Sequence, residues 1–198
     1  MTVHDPRNLH PVDANGDPLT FAVSGLLAEA PGAVREYELD RVEVDPGEGL
    51  VATEPVSGTL RLSRTNRGLF VDARLRTALA GECARCLEPL KTPIGFRIEE
   101  EVLPTIDFAS GAPVVLEEDE DPETPRLTDH HELELRPLVL EAISLQEPIA
   151  PVCEPDCPGL CTECGERLAP GHPDHDAPLD PRLEALLAFK VDAETETG

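Results

Sequence analysis

From residue 56 onward, apolar and polar residues alternate with a period of two. Val56, Gly58, Leu60 and Leu62 share one face, with Thr59 and Arg61 on the other. Thr65-Asn66-Arg67-Gly68 has the composition of a turn, after which Leu69, Val71, Ala73, Leu75, Thr77 and Leu79 alternate with Phe70, Asp72, Arg74, Arg76 and Ala78. Beyond Pro93, the residues Ile94, Phe96, Ile98 and Val102 alternate with Gly95, Arg97, Glu99 and Glu101. Period-two runs joined by turn residues predict an antiparallel meander with one face on a core and one in water. Looser alternation at Val34, Tyr37, Leu39, Val42 and Val44 predicts a further strand within residues 33–44.

Helical periodicity appears elsewhere. Residues 21–30, stopped by Pro31-Gly32, predict a short helix. Residues 133–145 predict a buried amphipathic helix with Pro137 in its first turn. On it Leu138, Ala142 and Leu145 share a stripe, Val139 and Ile143 lie beside it, and Pro148 forces a stop. Asp180-Pro181 reads as an N-cap and first-turn proline for a helix over residues 181–190, carrying Leu183, Leu186, Leu187 and Phe189. The expected architecture is α+β: a central antiparallel β-meander with a few helices packed on it. A flexible, polar N-terminal tail is expected at residues 1–18 and a polar C-terminal tail at residues 191–198, flanking one domain over residues 19–190.

Charge adds a second layer. The chain has 198 residues and a net charge of −24, with 40 acidic residues against 16 basic ones. Such a balance disfavours nucleic acid, whose binding rests on Lys and Arg at phosphates, and suits either a merely solvated surface or a basic protein partner. The charge is uneven. Residues 54–97 hold Arg61, Arg64, Arg67, Arg74, Arg76, Arg85, Lys91 and Arg97 against Glu54, Asp72, Glu82 and Glu88, whereas residues 98–125 hold ten acids and no base. The second stretch predicts a disordered acidic loop at about residues 108–131. In the first, Arg61, Arg74, Arg76 and Arg97 fall on the wet face of the meander. They are either ordinary solvated strand residues, paired with Asp72, Glu99 and Glu101, or a patch contacting RNA or a partner. The near absence of aromatic residues beside them favours the former.

The chemistry of the chain lies in its six cysteines. Cys83 and Cys86 form a CxxC on the connection between the second and third strands of the meander; Cys161 and Cys164 form another, inside a Cys-rich segment at residues 153–165 that also holds Cys153 and Cys157. Two CxxC knuckles from separate parts of a chain are a usual source of four thiolates for a tetrahedral zinc ion. Knuckle spacing favours Cys83, Cys86, Cys161 and Cys164 as a structural zinc set. Cys153 and Cys157 could replace either pair, and Cys153, Cys157, Cys161 and Cys164 could form a local site. His172 and His175 have a spacing that could bind metal, but exposed loop histidines usually do not. A disulfide framework is disfavoured because residues 1–10 lack an apolar signal region. A thioredoxin-like pair is disfavoured because Pro89, Pro93 and Gly95 follow Cys83/Cys86 where a helix would be needed.

No Ser/His/Asp arrangement, HExxH motif or Gly-rich phosphate loop is recognisable, and a zinc held by four thiolates has no open position for catalysis. The expectation is a non-enzymatic, cytoplasmic protein with no membrane span and no small-molecule substrate.

Three stretches resemble the YceD family, the large ribosomal RNA subunit accumulation proteins. They are Cys83-Ala84-Arg85-Cys86-Leu87 after the meander, Ile143-Ser144-Leu145-Gln146-Glu147-Pro148 at a helix end, and Cys157-Pro158-Gly159-Leu160-Cys161-Thr162-Glu163-Cys164-Gly165. The segment from Asp180 to Leu186 resembles the family's C-terminal helix. The resemblance covers roughly residues 56–190. It implies a factor in ribosome biogenesis supporting the accumulation, processing or stability of large-subunit ribosomal RNA, with a ribosomal protein, the RNA precursor, or both as partners. A thiol-based redox protein and a zinc-buffering protein are the alternatives from other classes.

Overall fold

The alternating residues between 52 and 102 form three long strands. The computed structural model describes residues 16–47, 49–115, 121–173 and 175. In chain order the elements are β1 (Thr20–Ala22), α1 (Ser24–Leu27), β2 (Val34–Val42), β3 (Ala52–Arg64), β4 (Leu69–Glu82), β5 (Pro89–Val102), β6 (Glu132–Glu134) and α2 (Arg136–Ser144). Strands β2 to β5 make one antiparallel sheet in the order β2-β3-β4-β5, and β1 pairs with β6 in a second, two-stranded sheet. The described residues are thus mostly antiparallel sheet, with two helices. The helix expected over residues 181–190 lies outside the described residues.

The alternation in β4 is followed closely. Leu69, Val71, Ala73, Leu75, Thr77 and Leu79 are all buried, together with Leu60 and Leu62 of β3 and Phe96, Ile98 and Val102 of β5. Burying one face of a sheet is what a period-two pattern encodes. Thr77 is tolerated in that apolar row because its hydroxyl donates to the Glu54 carbonyl at 2.6 Å, so no polar group is left unpaired.

Two elements differ from expectation. Residues 21–30 are not one helix: Thr20–Ala22 is a strand and only Ser24–Leu27 is helical. Phe21 sits opposite Leu133 of β6, and this distant pairing overrides the local helical reading. In α2, the buried stripe is Leu135, Val139 and Ile143, spaced by four, while Leu138 and Ala142 are half-buried and Leu145 is 76% exposed. Within the expected acidic loop, Leu127 is buried and its N–H donates to the Leu103 carbonyl at 2.9 Å. Arg126 donates to the carbonyls of Pro104 and Val114, so residues 121–131 are tied to the end of β5. Among the described residues no helix is long and apolar enough to cross a membrane.

Asp17, within the flexible tail expected at residues 1–18, is instead fastened to α2. Asp17 holds Arg136 through two hydrogen bonds, of 2.7 and 3.1 Å, and accepts the Leu19 N–H at 3.0 Å. The Leu135 N–H in turn donates to the Leu19 carbonyl. The bond from Arg136 holds the Asp17 carboxyl below its ordinary value of 3.8. A depressed folded pKa means that the stabilisation is present above the unfolded pKa and is lost as pH falls through the folded one. Both side chains are about a third exposed, which caps the effect at roughly 1 kcal/mol. Asp17→Asn should therefore lower the urea midpoint at neutral pH, with the gap from wild type closing below pH ~4. A gap that persists unchanged in acid would show that the carboxylate is not its source.

Candidate metal centre

The tight connection between β4 and β5 builds the first knuckle. The Cys83 N–H donates to the Glu88 carbonyl and the Leu87 N–H to the Cys83 carbonyl, both at 2.9 Å. Leu87 takes a left-handed conformation (φ 60°), which closes the turn and aims both sulfurs to one side. The partners of this pair are Cys153 and Cys157. The four sulfurs of Cys83, Cys86, Cys153 and Cys157 lie within 4.8 Å of one another. Cys83 to Cys157 and Cys86 to Cys153 are each 3.8 Å. A tetrahedron with Zn–S bonds of ~2.3 Å has edges of about 3.8 Å, so the sulfurs already stand at the separation such an ion requires. All four are free thiols; Cys83, Cys86 and Cys157 are buried and Cys153 is exposed.

The favoured set of Cys83, Cys86, Cys161 and Cys164 is not the one the fold assembles. Cys161 and Cys164 stand in a separate group with His172 and His175. The reason is the path of the chain. Helix α2 packs on β5, and the segment leaving it passes the tip of the β4–β5 hairpin, where the Ala84 N–H donates to the Pro151 carbonyl at 2.8 Å. Cys153 and Cys157 reach the first knuckle before the chain arrives at residue 161. The substitute pair, left open on spacing, is thus the one brought in. The expectation that His172 and His175 are ordinary exposed loop residues misses this group; an HxxH shortly after a CxxC is the sequence signal that marks it.

The protons on the four thiols are unevenly held. Backbone N–H groups of Cys86, Cys153 and Arg85 point at the Cys83 sulfur and hold its thiol down at about 6. The neighbouring Cys157 sulfur, through a hydrogen bond, together with desolvation and the Cys86 and Cys83 sulfurs, pushes the Cys153 thiol up to about 12. Any protons on such a donor set leave when a cation binds, because thiolates are the ligands. Two cations flank the set. Arg85 donates to the carbonyls of Cys157 and Pro155 at 3.0 and 3.3 Å. Arg167 lies 3.9 Å from the Cys153 sulfur and donates to Glu154 at 3.3 Å. The sulfurs of Cys86, Cys153 and Cys157 raise the Arg167 pKa, so this guanidinium offsets excess negative charge on a thiolate cluster.

The four arginines of the outer sheet face lie in three cross-strand rows, with Arg74 directly opposite Arg97. Register aligns Glu36, Arg61, Asp72 and Glu99 across β2 to β5, then Glu38, Thr59, Arg74 and Arg97, then Ser57 and Arg76. Arg97 is occupied: it makes two 3.0 Å bonds to Asp72 and one of 2.9 Å to Glu99. Arg76 donates to Ser57 at 3.3 Å. Arg61 and Arg74 form no ion pair among the described residues and line open depressions that also hold Glu36 and Glu38. The surface is therefore mixed in charge: Glu36, Asp72 and Glu99 share the row of Arg61, whereas Arg74 and Arg97 face each other in the next.

A four-stranded antiparallel sheet with a four-thiol cluster at a hairpin tip defines a β-sheet protein in which cysteines from distant segments could hold a metal ion. A family model described as Large ribosomal RNA subunit accumulation protein YceD matches residues 71–190. The chain belongs to this family. A Mycobacterium tuberculosis protein described as uncharacterized is 33% identical over 177 residues, covering 86% of this chain and 80% of that protein. A Mycobacterium leprae protein, likewise described, is 31% identical over 196 residues, covering 91% of this chain and 82% of its own. No solved structure matches the chain. The family's name implies a role in accumulation of the large-subunit ribosomal RNA.

Proposed function

We propose that this protein is a non-enzymatic factor in ribosome biogenesis, supporting accumulation of large-subunit ribosomal RNA by holding a basic ribosomal protein, with RNA as a secondary contact. Cys83, Cys86, Cys153 and Cys157 would hold one zinc ion in a closed, structural site. When bound, the ion supplies a cross-link between the β4–β5 hairpin and the segment after α2. The observation that carries the choice of a protein partner is the presence of Glu36, Glu38, Asp72 and Glu99 on the same sheet face as the strand arginines, on a chain of net charge −24. Arg97 is already engaged by Asp72 and Glu99, which leaves few cations for phosphates. An acidic surface instead raises the association rate of a Lys- and Arg-rich partner.

The redox alternative fits less well. The thiol held low, Cys83, is fully buried, while the accessible one, Cys153, is held high, the reverse of what a reactive thiolate needs. Zinc buffering requires an ion that leaves freely, which does not suit the centre of Cys83, Cys86, Cys153 and Cys157, where three of the four cysteines are buried.

The test compares binding to basic large-subunit proteins and to large-subunit ribosomal RNA fragments at near-physiological salt. The expected result is protein binding that weakens with salt, and RNA binding that is weaker and unaltered in an Arg61→Glu/Arg74→Glu/Arg76→Glu variant. RNA contact through three arginines would instead give a slope of about −2 in log affinity against log salt on single strands, abolished in that variant. Tight RNA binding of that kind, with no ribosomal-protein binding, would overturn the reading.

A further inference from the structure

Cys161 and Cys164 sit on a second knuckle that repeats the first, bond for bond. In the first, the N–H of Cys83 donates to the carbonyl five residues on (Glu88), and the N–H four residues on (Leu87) donates back to Cys83. In the second, the Cys161 N–H donates to Glu166 at 2.7 Å and the Gly165 N–H donates back to Cys161 at 2.9 Å. The closing residue is left-handed in both, Leu87 at φ 60° and Gly165 at φ 74°. The leading sulfur of each also accepts the N–H groups two and three residues on, Arg85 and Cys86 for Cys83, Glu163 and Cys164 for Cys161. A short antiparallel bridge between Leu160 and Arg167 frames the second turn.

Two histidines complete the group. The ligand atoms of Cys161, Cys164, His172 and His175 all lie within 4.8 Å of one another. The Cys164 sulfur is 3.3 Å from Nε2 of His172, and the two imidazole rings are 5.1 Å apart. With Zn–S at ~2.3 Å and Zn–N at ~2.0–2.1 Å, the sulfur-to-nitrogen edge of a tetrahedron is about 3.5 Å. Two thiolates and two imidazoles in such a set suit zinc.

We propose that Cys161, Cys164, His172 and His175 form a second zinc site, and that its ion exchanges readily while the ion at Cys83, Cys86, Cys153 and Cys157 does not. The donor sets differ in charge. Two thiolates and two neutral imidazoles cancel a divalent ion, so this site needs no flanking cations, whereas four thiolates leave an excess of negative charge that Arg85 and Arg167 offset. They also differ in reach. The second set is drawn from fifteen consecutive residues, 161–175, and Cys164 and His175 are exposed, with Cys161 and His172 half-buried. Its ion can leave through a local opening. The first set joins residues 67 and 74 positions apart and is mostly buried, so its ion leaves only when the hairpin parts from the segment after α2. This assignment stands independently of the ribosomal role.

The experiment uses the full chain, loaded with zinc, freed of excess by gel filtration, and challenged with a chromogenic chelator. The expected result is two ions per chain, released in a fast and a slow phase of equal amplitude. His172→Asn/His175→Asn should hold one ion and show only the slow phase. Cys161→Ser/Cys164→Ser should do the same, and its circular dichroism should match wild type, which separates loss of the site from loss of the fold. Cobalt substitution should give the wild type one more equivalent of tetrahedral d–d absorption than either variant. One ion in the wild type, a fast phase that survives in both variants, or release of both ions in a single phase would overturn the proposal. A wild type with no ion at all would sink the four-cysteine centre as well, so the two failures are distinguishable.

Discussion

Stripping the ion from Cys83, Cys86, Cys153 and Cys157, or replacing Cys157 by serine, is expected to lower the melting temperature by roughly 10 °C. An ion held by these four sulfurs would close loops of 67 and 74 residues between the β4–β5 hairpin and the segment after α2. In the chain-entropy description of a cross-link, a loop of that size is worth about 4 kcal/mol. In a chain of 150–250 residues each kcal/mol moves the melting temperature by about 2–4 °C. The total falls short of the ~10–16 kcal/mol of zinc-finger peptides because this protein has its own core. Leu60, Leu62, Leu69, Val71 and Val139 are fully buried without help from the cysteines. The protein should therefore survive without metal, but with a weakened hairpin tip. Thermal melts of wild type with and without chelator, beside Cys157→Ser and Cys164→Ser, test this. Chelator and Cys157→Ser should agree, and Cys164→Ser should cost far less. Superimposable melts for all four would remove the cross-link from the account of stability.

Gly58→Ala is expected to cost several kcal/mol, through backbone collision rather than lost packing. Gly58 lies in β3 beside a break in register between Glu54 and Ser57, and it faces Leu39 of β2 and Leu75 of β4. Its φ of +149° is a conformation that side chains rarely adopt, and a Cβ there would stand 2.1 Å from the Arg74 carbonyl oxygen. The neighbour is backbone in the central ladder and cannot rotate away. Strain of this kind costs about 1–3 kcal/mol before any displacement of the ladder is counted. Gly95→Ala is the control. Gly95 pairs with Arg76 from the adjacent strand, but a Cβ there meets only the Leu75 carbonyl oxygen, at 3.9 Å. It should change stability by no more than about 0.5 kcal/mol. Urea unfolding of the two variants decides the matter: equal, small losses would mean that β3 can shift to accept a side chain at residue 58.

Features that depend on near neighbours could be read from the chain alone. The row Leu69 to Leu79 specified a strand with one buried face, because alternation requires only that one side meet a core. Thr65 to Gly68 marked the turn that follows β3, and the Thr65 hydroxyl accepts the Gly68 N–H there as its composition suggested. Each CxxC specified a knuckle, since the turn's hydrogen bonds are made within six residues. The tertiary structure decided everything that rests on meetings between distant segments. Phe21 left a helical context for a strand because Leu133 was there to pair with it. Helix α2 turned Val139 and Ile143 inward and Leu145 outward because Arg136 is held by Asp17, 119 positions away, and Leu135 by Leu19. Which knuckle met which cysteines followed from the packing of α2 on β5, which delivers Cys153 and Cys157 to the hairpin tip and leaves Cys161 and Cys164 to the histidines. Spacing fixes the shape of a local turn, whereas the choice of partner is set by where the core places each segment, and no local pattern carries that information.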